Sequence, residues 1–147
     1  MSTTGIGQDT SDIGWLVDRF VEGTADVADA IVVSSDGLLL AISPDLERTA
    51  ADKLAAIVSG LRSLSEGVSA VTGRGGFSQA MIELAHGYLV VSAISDGSSI
   101  GVVADRDADL GAVGYGTTLL VERVGAALTP ALINELKLSL NAPAARS

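Results

Sequence analysis

The chain alternates between stretches with helical and stretches with strand periodicity. From Ser11 to Gly23 the apolar positions Ile13, Leu16, Val17, Phe20 and Val21 recur at helical spacing, with Asp18, Arg19 and Glu22 on the other side. Gly23 ends that pattern. Val27 to Val33 is β-rich, and Leu38 to Ile42 is a second apolar run. The Ser34-Ser35-Asp36-Gly37 segment between them predicts a hairpin, because Asp-Gly supplies the left-handed backbone that tight turns require. Thr49 and Asp52 fit a Thr-x-x-Asp helix opening. The helix it predicts runs to about Val68, with Leu54, Ile57, Val58, Leu61, Leu64 and Val68 sharing one face. Gly73 to Gly76 breaks the chain. Strands Phe77–Leu84, Tyr88–Ile94 and Ser98–Val103 follow as a meander, joined by turns at Ala85-His86-Gly87 and Ser95-Asp96-Gly97. A last helix spans about Asp109 to Leu128, and Pro130 opens a short extension to Leu138.

The order α-β-β-α-β-β-β-α predicts an α+β domain with a five-stranded antiparallel sheet flanked by helices. It occupies residues 11–138, between disordered polar tails at 1–10 and 139–147.

Composition narrows the function. A chain of 147 residues is one domain by length. Acids outnumber bases 18 to 9, so no basic surface is available to displace counterions from phosphates, and nucleic acid is excluded as a partner. With 48% hydrophobic residues the chain can build a core, and with no Cys it cannot build disulfides, zinc ribbons or a thiol nucleophile. Only 3% of residues are aromatic, so the apolar content is aliphatic. The most apolar run, Tyr88 to Ile94, is short and bounded by turns, which argues against direct membrane insertion. The polar N-terminus has no basic region and no signal-peptide character. A cytoplasmic location is expected.

Candidate catalytic chemistry is sparse. The sole histidine, His86, falls in a predicted turn with no oriented partner, and no Gly-x-Ser-x-Gly elbow is present. The Asp105-Arg106-Asp107-Ala108-Asp109 run resembles a calcium loop until its sixth and twelfth positions are read. Those are Leu110 and Gly116 where Gly and Glu are needed, so the run reads as a solvated loop with Asp109 capping the next helix. Gly73-Arg74-Gly75-Gly76 lacks the Lys-Ser/Thr of a phosphate loop and precedes a strand, so it reads as a flexible turn. No catalytic residue, metal or cofactor is expected.

The central helix carries a second pattern, Ala56, Gly60, Ser63 and Gly67. Each helical Gly costs about 1 kcal/mol relative to Ala, so some compensation is expected. The stripe could admit the close approach of another helix. It could also be merely exposed, or pack on the protein's own sheet. The third strand places Ala80, Ile82 and Leu84 on one side and Phe77, Gln79, Met81 and Glu83 on the other, as an exposed edge or a pairing surface.

Three strings then carry a resemblance. Gly14-Trp15-Leu16-Val17-Asp18-Arg19-Phe20, the run from Ala30 through Ser34-Ser35-Asp36-Gly37 to Ala41, and Leu119 through Glu122-Arg123-Val124-Gly125 to Leu132 together resemble the Roadblock/dynein-light-chain family. The nearest type is the actinobacterial conservon Roadblock proteins, and the likeness covers about Ser11 to Leu136. Gly114-Tyr115-Gly116 is more glycine-rich than the family pattern.

The resemblance implies a profilin-like fold and a homodimer whose sheets join through the third strand. The central helices then pair, giving Ala56, Gly60, Ser63, Gly67, Phe77, Gln79, Met81 and Glu83 as the dimer interface. It implies a small Ras-like GTPase as partner, held on the central-helix face, with Arg48, Lys53, Arg62 and Glu66 as partner-binding residues and Arg74 a further contact. Conservon-type members accompany a sensor-kinase-like membrane protein and a small companion protein, which could recruit the chain to the inner membrane face. The function expected is a non-enzymatic signalling module. The alternative is a small-molecule-sensing or purely scaffolding profilin-like domain.

Overall fold

The computed structural model describes residues 6–141. The elements are α1 (Ile6–Gly23), β1 (Val27–Val33), β2 (Leu39–Ile42), α2 (Arg48–Thr72), β3 (Gln79–Leu84), β4 (Gly87–Ala93), β5 (Ser99–Asp105), α3 (Leu110–Ala127) and α4 (Pro130–Asn141). The strands form one antiparallel sheet in the order β2-β1-β5-β4-β3.

Both predicted Asp-Gly turns form, with Gly37 at φ 88° and Gly97 at φ 99°. Each Asp side chain fastens its own turn. Ser34 donates its hydroxyl proton to Asp36, and the Ser98 amide donates to Asp96 Oδ1 at 2.9 Å. The turns sit side by side because β1 and β5 are neighbours, with Val33 opposite Ser99.

The sheet buries both faces. On one, α1, α3 and α4 cover Ala30, Val32, Val90, Ile100 and Val102. On the other, α2 covers Ile31, Val33, Leu89 and Val91, with Leu140 at the end of α4 packed at the margin. Two glycines set how closely the helices lie. A Cβ on Gly101 would come 2.7 Å from Val58 Cγ2, so α2 rests against bare backbone at the sheet centre. A Cβ on Gly116 would come 3.0 Å from Phe20 Cε1, which lets α1 and α3 pack closely. The glycine-rich start of α3 therefore stays helical through packing, with buried Thr117 returning its hydroxyl to Val113 O at 2.7 Å.

Several boundaries differ from expectation. Helix α1 opens at Ile6, so residues 6–10 are helix rather than tail; residues 1–5 and 142–147 lie outside the described residues. Helix α4 runs past 138 because its end is tied down. Asn141 Nδ2 donates to Leu39 O at 3.0 Å and Arg48 donates to Asn141 Oδ1 at 3.1 Å. The N-cap of α2 is Glu47, which accepts from the Ala50 amide at 3.2 Å and displaces Thr49 from that role.

Candidate interaction surface

The two sheet edges are treated differently. Helix α4 lies along β2, with Lys137 Nζ bridging to Asp36 at 3.0 Å and Asn141 on the Leu39 carbonyl. The β3 edge has no neighbouring strand among the described residues, and Gln79, Met81, Glu83 and Leu84 are exposed along it. An uncovered edge strand offers unpaired backbone groups to another chain.

Beside this edge lies the outer side of α2. The face seated on the sheet is Ala51, Ala55 and Val58. Of the six residues on the predicted apolar face only Val58 is fully buried; Leu54 and Leu61 are half-buried, and Ile57, Leu64 and Val68 are exposed. At about 100° per residue, Ala56, Gly60, Ser63 and Gly67 fall along the outward arc beside Ile57, Leu64, Val68 and Val71. Leu64 is 73% and Val71 88% exposed. Nothing lies within 4 Å of a Cβ built on Gly60 or Gly67, so the stripe does not pack on the protein's own sheet. By length and composition α2 could cross a membrane, but Arg62 and Glu66 interrupt it and its inner face is committed to the sheet.

The four residues proposed as partner contacts divide. Lys53 is exposed, and Arg48 is exposed while pairing with Asp52 at 3.0 Å. Arg62 instead turns inward, with its side chain 19% exposed. Its Nη1 donates to the Ser98 carbonyl, and at 3.4 Å to Ile94 O and Ser99 Oγ. Its Nη2 pairs with Glu66 at 3.4 Å, and Glu66 also accepts the Phe77 amide at 3.4 Å. Arg62 and Glu66 thus strap α2 to the β4–β5 turn and to the approach to β3.

Phe77 precedes β3 rather than lying in it, and packs with the α2-side core. It does not share a face with Gln79, whose side chain bonds Ser92 Oγ at 2.9 Å. The predicted strand starts at Phe77, two residues before β3 begins at Gln79. Phe77, Val68 and Ala80 line an open groove of about 330 Å³ between α2 and β3, with Arg74 at its rim. Gly73 caps α2 in the left-handed conformation, donating its amide to Ser69 O at 2.8 Å. His86 is an exposed turn residue, and Asp109 caps α3 by accepting the Ala112 amide at 3.1 Å. Among the described residues, no three His, Asp or Glu side chains gather as a metal site.

Sequence reasoning missed the large outward residues Ile57, Leu64, Val68 and Val71. The available signal was the four-residue spacing of Ala51 and Ala55, continued by Val58 and Arg62, opposite a glycine in the middle of β5.

An open antiparallel sheet with one long helix on one face and three helices on the other is a profilin-like fold. The chain belongs to the Roadblock/LC7 domain family, whose profile matches residues 13–104. A Roadblock/LC7 domain from Streptomyces avermitilis is 33% identical, with a TM-score of 0.72 over 76% of this chain and 92% of that one. Myxococcus xanthus MglB has the same fold at 18% identity and a TM-score of 0.73, covering 79% and 94%. Profilin IB of Acanthamoeba castellanii matches at 16% identity and 0.55, covering 77% and 96%. No curated protein sequence matches the chain.

Proposed function

We propose that the chain is a non-enzymatic homodimeric signalling module, of the actinobacterial conservon type, that binds a small Ras-like GTPase in the cytoplasm. The observation that carries this reading is one continuous surface: the outward apolar arc of α2 beside the open β3 edge. Antiparallel pairing of β3 with its copy satisfies the edge, and a two-fold axis brings the two α2 arcs together. The small residues Ala56, Gly60, Ser63 and Gly67 let helix backbones approach closely. What remains of the α2 face, with Arg48 and Lys53 exposed at its N-terminal end, is left for the GTPase. Family membership and the 33% identical Streptomyces domain support a Roadblock module. A sensor-kinase-like membrane protein and a small companion protein are further partners under this reading.

Light scattering of the full chain should give twice 14.8 kDa. Gly60→Asp and Met81→Lys should each shift it toward monomer, and a monomeric wild type would sink the shared-sheet arrangement. A pull-down with the GTPase encoded nearby, in GDP and GTP-analogue states, followed by a turnover assay, tests the partner. Absent or nucleotide-independent capture counts against GTPase regulation and leaves the scaffold reading.

A further inference from the structure

The face opposite α2 carries a feature that the dimer and GTPase do not use. The chain's only tryptophan, Trp15, is 57% exposed on α1, and Tyr115 is 70% exposed on α3. In a chain so poor in aromatics this is an unusual placement. Trp15 is held by Arg19, whose guanidinium carbon lies 5.3 Å from the ring centroid. Between α1 and α3 runs a groove of about 260 Å³, walled by Trp15, Leu16, Phe20 and Leu119 and edged by Arg19 and Arg123. It exists because Gly116 lets Phe20 sink between the helices.

Charge singles out this groove. The chain has 18 acids and nine bases, yet two arginines and no acid line it. Both arginines are exposed, so their fork of donors is free to meet a planar anion. An apolar trough with cationic rims fits the helix-in-groove mode of peptide recognition, and Trp and Arg are the residues that most often anchor such contacts.

We propose that the α1–α3 groove is a second docking site, which takes a carboxylate-bearing amphipathic helix of another protein. Its apolar side chains rest against Trp15, Leu16 and Leu119, and its acids meet Arg19 and Arg123. Because α1 and α3 lie across the sheet from α2, occupation of one face leaves the other open. The module would then bridge two partners.

The sole tryptophan reports on the groove directly. The full chain is titrated with a short helical peptide of Leu, Ala and Glu, and with the same peptide carrying Lys for Glu. The Glu peptide should give a saturable blue shift of Trp15 emission that weakens with salt, and the Lys peptide none. Arg123→Glu should weaken the Glu peptide about tenfold and admit the Lys peptide, since a reversed rim charge now repels the first and attracts the second. Circular dichroism should show that variant folded. No shift with the Glu peptide, an equal shift with both peptides, or a shift indifferent to Arg123→Glu overturns the proposal. So does a blue shift that grows with protein concentration alone and vanishes in Arg123→Glu, since a second copy would then be the occupant.

Discussion

Replacing Arg62 with Ala separates a structural strap from a partner contact. The guanidinium makes one close hydrogen bond, to the Ser98 carbonyl, and longer ones at 3.4 Å to Ile94 O, Ser99 Oγ and Glu66. A hydrogen bond to a charged group contributes about 1.5–3 kcal/mol, and contacts at the distance limit add little. The loss is held down because both carbonyls keep another donor, and the one acceptor left without its partner, buried Ser99 Oγ, loses only a contact at the distance limit. Ser98 O still accepts the Ile94 amide at 2.8 Å, and Ile94 O the Gly97 amide at 3.1 Å. Glu66 keeps the Phe77 amide and is 44% exposed. Arg62→Ala should therefore cost about 1.5–2 kcal/mol, near the lower end of that range. Arg62→Lys should recover part, because an ammonium reaches one carbonyl but cannot also fork to Glu66. Urea denaturation followed by circular dichroism at one fixed protein concentration measures both, with an unchanged denaturant slope expected. If Arg62→Ala is as stable as wild type yet loses the GTPase, the strap argument fails and Arg62 is a contact after all.

Gly101→Ala should destabilise by about 1–3 kcal/mol, the usual cost of overpacking, because its methyl would sit 2.7 Å from Val58 Cγ2. Adding Val58→Ala should recover much of that loss, and strict additivity in the double-mutant cycle would refute the contact. Asp36 is held below its ordinary pKa first by the Ser34 hydroxyl and then by Lys137. A depressed carboxylate stabilises the fold above its unfolded pKa and loses that contribution as pH falls through the folded one. Wild type should therefore exceed Asp36→Asn in thermal stability at neutral pH. The gap should close below about pH 4, and a gap independent of pH would refute the assignment.

The strands were legible because their punctuation was chemical. Asp36-Gly37 and Asp96-Gly97 can adopt the backbone that turns require, and the apolar runs beside them have strand length. The orientation of α2 was not legible, for an equally physical reason. Choosing the face with the largest apolar side chains assumes that helix and sheet meet at ordinary distance. Gly101 removes a side chain at the meeting point, so the small face with Ala51 and Ala55 goes inward and Leu64 and Val68 go outward. Arg62 accompanies the small face because the ends of β4 and β5 offer it carbonyls, a long-range pairing that no local spacing encodes. The tie between Asn141 and Leu39 is of the same kind. The β3 edge was legible as an edge, but Phe77 was misphased because strand alternation has no meaning where the chain still turns.

The opposite treatment of the two edges bears on what the apolar excess is for. A fold that merely had to avoid edge-to-edge aggregation would blunt both edges. Here β2 is covered by α4 and fastened through Lys137 and Asn141, while β3 keeps Met81 and Leu84 in solvent. The outward arc of α2 lies beside the uncovered edge and is lined with Leu64, Val68 and Val71 rather than with the charges a solvent-facing helix usually carries. Small residues follow the same arc, where a helix gains nothing from them on its own. The combination of exposed aliphatic residues, small residues and an unsatisfied strand edge on one side fits a surface that is covered in the working molecule. The face of α2 that meets the core is compact, with Ala51, Ala55 and Val58 against Gly101, so the larger aliphatic side chains of this helix lie on the outward arc. The aliphatic surplus of α2 therefore lies on the outward surface beside the open edge.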